Sequence, residues 1–194
     1  MSSSSFVRWG GLAAMVGGVL WMVVFTLFAL RPSGPGSAPP YRSFEGLYLP
    51  SLVSAVLIVV GLVALHIHLR SIYGRLGMAG FVLALVGAAA ELVLVVSGGF
   101  WPWGRVGAIA VVLGSVLIGV AALRVNARLR WGATALVVGS LAFFLLDTEA
   151  ARVWFVLPYG GAWVLVGYLL RSGGVEAAPR PTRVRGTSEN THYE

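Results

Sequence analysis

The chain has 194 residues, is 58% hydrophobic and 11% charged, and has a mean hydropathy of +0.86. A soluble domain carries about 25% charged residues, so these figures exclude an ordinary soluble globule and place the chain in the membrane class, as one domain. All 14 basic residues are arginine, against seven acids, and there is no Cys or Lys; this excludes disulfides, thiolate metal or iron–sulfur sites, Schiff-base chemistry and a Walker lysine.

Six apolar runs follow one another. The first, residues 9–30, is too long for a signal-peptide core and no cleavage site follows it, which predicts an uncleaved helix. The connection 31–46, RPSGPGSAPPYRSFEG, has four prolines and reads as a semi-rigid loop. Residues 47–69 form the second run, with Pro50 in its first turn. A short turn at 70–75 leads to the third run, 77–97, and GGFWPWGR leads to the fourth, 106–123. The fifth, 131–146, and sixth, 153–170, are at the short end for a spanning helix. The predicted fold is therefore all-α, a six-transmembrane-helix bundle over residues 1–171, with 172–194 as a polar, disordered cytoplasmic tail.

Arginine placement sets the orientation. With the N-terminus inside, ten arginines fall on the cytoplasmic side, from Arg8, Arg70 and Arg75 to Arg171 and the tail, and four fall outside: Arg31, Arg42, Arg105 and Arg152. Both termini are then cytoplasmic. Trp9 and Trp131 lie at the inner interface and Trp101 and Trp103 at the outer, as an aromatic belt would. The lipid bilayer is the expected partner, with anionic lipid at the cytoplasmic arginines. No nucleic-acid partner is expected, because the arginines lie between and after apolar segments; a homo-oligomer is a further option.

A short repeat opens the odd segments: Arg8-Trp9-Gly10, Arg75-Leu76-Gly77 and Arg130-Trp131-Gly132, spaced by 67 and 55 residues. Three helical hairpins in parallel register fit it. So does the plainer reading that every cytoplasmic helix end in an Arg/Gly-rich chain looks this way. The stretches RWGGLAAMVGGVLW, FVLALVG, FWPWG and VLPYGGAWVLVGYLL resemble uncharacterised small multi-pass proteins of GC-rich bacteria. That resemblance implies a bacterial inner-membrane location and carries no activity or site.

The third run carries the main polar feature. Its 21 residues would be about 31 Å long as a helix, and Glu91 lies inside it. A charge at that depth costs roughly 2.5–3.5 kcal/mol, which turns it away from lipid. Gly77, Gly80, Ala84, Gly87 and Glu91 are spaced 3-4-3-4 and share one helix face. That small face is the expected bundle contact, with Glu91 at its polar end. Pro158 lies at a similar depth in the sixth run. By removing the hydrogen bond to the Trp154 carbonyl it is expected to kink the helix, with Tyr159, Gly160 and Gly161 following. A pocket around Glu91 and Tyr159, rimmed by Arg105, Arg152, Asp147 and Glu149, is the candidate ligand site; an ion pair of Glu91 with Arg105 or Arg152 is its structural alternative. His66 and His68 are about 200° apart on a helix and cannot share a metal; no metal or cofactor site is predicted. No nucleophile triad, phosphate loop or carboxylate pair is present, which counts against a membrane-embedded enzyme. Binding of a small or lipidic ligand leads, with a small secondary transporter or proton-coupled carrier as the alternative.

Overall fold

The computed structural model describes residues 3–30, 45–96, 104–124, 130–144 and 154–172. The described residues form six helices and no strand: α1 Ser3–Ala29, α2 Glu45–Leu69, α3 Gly74–Val96, α4 Gly104–Leu123, α5 Arg130–Phe143 and α6 Val156–Ser172. The predicted all-α architecture is observed. α1 to α4 each contain 18 to 24 consecutive residues long and apolar enough to cross a membrane. A helix satisfies its own backbone, so a long apolar helix can sit in lipid without unpaired amides. α5 has 14 residues and α6 has 17, both shorter than those spans.

Each helix packs against its neighbours in the order α2, α1, α6, α5, α4, α3. Lipid tails are as apolar as leucine, so burial of apolar surface does not drive helices together in a membrane; close backbone approach at small residues does. The seams are built that way. On the α1–α6 seam, a β-carbon added at Gly11 would lie 2.8 Å from the Gly167 carbonyl oxygen, and one at Gly18 would lie 2.5 Å from that of Gly160. On the α3–α4 seam, Gly80 meets the Gly114 carbonyl at 2.8 Å and Gly87 meets the Gly107 carbonyl at 2.7 Å by the same measure. Both seams are antiparallel, and both pair glycines seven residues apart, two helical turns, on each side. The contacts place Cα–H groups against carbonyls, a weak attraction that recurs at close helix crossings.

The predicted small face of α3 is thus its α4 contact. Ala84 is fully buried, and Gly80 and Gly87 sit against α4, while Val82, Val86 and Val93 are exposed. The α1–α2 seam is also antiparallel. Gly61 lies over Ala14 and Gly17 over Leu57 and Ile58, and the buried Ser54 hydroxyl donates to the Gly17 carbonyl at 2.7 Å.

α2 and α3 are the exception. They are joined by a short turn yet meet only sparsely. What joins them lies at the turn, where Gly74 takes φ of 65°, a conformation open to glycine without strain. Tyr73 is buried, lies across Gly77 and shares a hydrogen bond with His66 Nδ1. His66 stacks on Phe81 with ring centroids 3.9 Å apart. The ring of helices is therefore closed at five seams and clasped only at one end of the sixth.

Pro50 falls inside α2, because the helix begins at Glu45 rather than at residue 47. It is not a first-turn proline. Ser51 donates to the Leu47 carbonyl next to it, at 2.8 Å.

Candidate functional site

Glu91 lies in the half of α3 distant from the Tyr73 turn and is half-buried. Its position follows from the seam: the side chain packs over Gly107 of α4, where an added β-carbon would lie 2.6 Å from Glu91 Cγ. Glycine at 107 is what gives the carboxylate room. From there Glu91 is within electrostatic reach of Tyr159 on α6.

Tyr159 is 4% exposed and sits in an aromatic cluster. Its ring centroid is 5.1 Å from Phe143, 6.3 Å from Trp21 and 6.4 Å from Trp163. Ser115 of α4 and Trp163 flank its hydroxyl. Four buried polar atoms in the described interior have no hydrogen-bond partner: Trp21 Nε1, Ser115 Oγ, Ser140 Oγ and Trp163 Nε1. Ser115 and Trp163 approach the Tyr159 hydroxyl without hydrogen-bond geometry. A buried, unsatisfied donor costs about 1–3 kcal/mol, so these groups are polar capacity held inside an apolar bundle. They come from α1, α4, α5 and α6.

Pro158 requires a correction. α6 begins at Val156, preceded by a 3-10 turn at 154–155, so Pro158 is in the first helical turn. First-turn amides have no carbonyl within the helix to bond, and proline there starts a helix rather than kinking it. Its ring is exposed, and its carbonyl packs on Gly139 of α5. The predicted break, and the freed Trp154 carbonyl beside Glu91, are not present. Trp154 is 44% exposed and belongs to the surface. Gly160 packs against Met22 and Gly18 of α1, whereas Gly161 has open space at its α-carbon. Of the proposed rim, Arg105 falls in α4 without a described side chain, and Arg152, Asp147 and Glu149 lie outside the described residues. The loop at 31–44, Trp101, Trp103 and the tail beyond 172 lie outside them too.

The residues that sequence reasoning missed are Trp21, Ser115, Ser140 and Trp163. A signal for two of them was present: Gly114-Ser115 and Gly139-Ser140 are Gly-Ser pairs in the middle of apolar helices. The glycine is at a seam and the serine follows it into the interior. Two cavities lie elsewhere. One of about 10 Å³ is apolar, between Leu65, Ile118, Leu136 and Leu170. The other, about 270 Å³, is open and lies at the α2–α3 turn. No group of three His, Asp or Glu among the described residues is placed to hold a metal.

An all-helical bundle with four helices able to cross a bilayer and a polar cluster in its interior defines the class: a helical membrane protein. Comparison with protein-family models, curated proteins and solved structures finds no match.

Proposed function

We propose that the protein is a six-span integral membrane protein of the bacterial inner membrane with both termini cytoplasmic, and that it binds a small or lipidic ligand at the polar cluster around Glu91 and Tyr159. What supports this reading is that Glu91 is held against α4 over Gly107, within electrostatic reach of the buried Tyr159, whose hydroxyl has Ser115 and Trp163 beside it. Indole N–H groups only donate and hydroxyls donate readily, so the fitting ligand presents acceptor oxygens, such as carbonyl, hydroxyl or phosphate groups, on an apolar body. The sparse α2–α3 seam is the route in. The packing order also supports three hairpins repeated around the ring, each odd helix followed by its even partner in the same sense.

Native mass spectrometry of the protein purified in mild detergent tests the reading. The wild type is expected to retain a ligand that Glu91→Gln weakens and Tyr159→Phe also weakens, with both variants still folded. If neither variant changes what is retained while Glu91→Ala melts lower, the carboxylate is a strut and the binding reading fails.

A secondary transporter is the second reading, favoured by one observation: α2 and α3 meet sparsely and are clasped at their turn, as a seam able to part for an access path would be. Proteoliposomes carrying an internal pH dye distinguish it. Proton movement coupled to an added solute supports transport, and tight proteoliposomes under all solutes tried exclude a proton-coupled carrier for them.

A further inference from the structure

We infer that the cleft at the α2–α3 turn is a binding site for the phosphate of an anionic lipid, separate from the Glu91 cluster. The cleft encloses about 270 Å³ and is open to the surface. Its walls combine two chemistries. Arg124, the residue after α4, and Tyr73 supply polar groups, and Ile72, Leu76 and Ala121 supply an apolar side. Ile72 is 58% exposed, an apolar side chain left uncovered beside a cation. That pairing suits a molecule with a charged head and an apolar continuation. The backbone of Gly74 is open toward its surroundings, with nothing within 4 Å of where a β-carbon would be.

Among the described residues, the charge at this end has one sign. The arginines with described side chains, Arg8, Arg70, Arg75, Arg124, Arg130 and Arg171, lie at this end of the bundle, where α1, α3 and α5 begin and α2, α4 and α6 finish, whereas Arg105 is near the start of α4 at the other end. The described acids, Glu45 and Glu91, are at the start of α2 and in the far half of α3. Among the described residues no carboxylate lies at this end, so Arg124 can offer its charge to an external anion. Guanidinium groups bind phosphate oxygens in a planar, two-point geometry, and they are favoured for that over a point charge. The cleft sits where spanning segments meet water, at head-group depth. A phosphate there can face Arg124 while its acyl chains follow Ile72 and Leu76 into the bilayer. A free phosphate would match the guanidinium and leave the apolar wall bare, so a lipid is the assigned source.

The test reconstitutes the full chain in nanodiscs of phosphatidylcholine with increasing phosphatidylglycerol and counts retained phosphatidylglycerol by native mass spectrometry. Near an anionic surface one arginine contributes about fivefold in affinity. Arg124→Ala should therefore need about fivefold more phosphatidylglycerol for the same retention. Arg130→Ala, an exposed arginine at the same end but outside the cleft, should lose clearly less than Arg124→Ala. Equal losses from both variants would mean diffuse attraction and overturn the site, as would no loss from either. Full displacement of the retained lipid by inorganic phosphate would overturn the lipid assignment.

Discussion

Gly114→Ala tests whether the seams hold this bundle together. The added β-carbon would lie 2.6 Å from the Gly80 carbonyl oxygen and 2.7 Å from Ala84 Cα, while ordinary contact begins at 3.4 Å. These neighbours are backbone and cannot swing aside as a side chain would. Helix α3 must therefore back away by about 0.8 Å, and a gap of 0.5–1 Å forfeits a quarter to a half of each dispersion contact along the seam. Overpacking of this kind costs roughly 1–3 kcal/mol. Alanine regains about 1 kcal/mol over glycine as a helix former. The net expectation is a loss of up to about 2 kcal/mol. Gly161→Ala is the matched control, because nothing lies within 4 Å of its added carbon; it should gain up to about 1 kcal/mol. Unfolding in mixed micelles of increasing SDS fraction, followed by circular dichroism, measures both. Equal stabilities for the two variants would refute close approach of α3 and α4 at Gly114.

Two further predictions follow from single contacts. Ser54→Ala removes the buried hydroxyl that donates to the Gly17 carbonyl, and interhelical hydrogen bonds in membranes average about 0.6 kcal/mol with a maximum near 1.7. The same micelle titration should show a loss in that range, larger than for Ser51→Ala, whose hydroxyl bonds only within its own helix. At the turn, burial pushes the Tyr73 hydroxyl above its ordinary value of 10. The folded state then holds its proton where the unfolded chain releases it, so this contribution is present in full below about pH 10 and fades as pH rises above it. Melting profiles should show wild type losing stability more steeply than Tyr73→Phe above that pH, and parallel profiles would contradict the clasp.

Hydropathy made the helices legible because the first four apolar runs are long and end at Arg or within a residue of Gly, and the shorter fifth and sixth still stand out between polar stretches. The expected third run at 77–97 became α3 at Gly74–Val96, and the fourth, expected at 106–123, became α4 at Gly104–Leu123. The face of α3 was legible too, since glycine and alanine at 3-4 spacing mark close packing whatever the partner. The partner was not. Nothing in an apolar sequence tells α1 to take α6 as well as α2, and glycine pairs seven apart stand out only once two helices are set side by side. Pro158 misled because a helix start three residues later turns a kink into a first-turn proline. The Tyr73 clasp joins His66, Gly77 and Phe81 across a turn, and no spacing rule for one helix reaches across it.

The central claim is that Glu91 lines an interior polar site reached from the outer side. The chain has no cysteine, so single cysteines can be introduced and probed cleanly with a charged, membrane-impermeant thiol reagent on right-side-out vesicles. Glu91→Cys should react from outside. Ala84→Cys, fully buried in the α3–α4 seam, and Val86→Cys, 60% exposed on the opposite face toward lipid, should not. Reaction at 91 that is confined to inside-out vesicles, or absent until the membrane is dissolved as for Val86→Cys, would contradict the account.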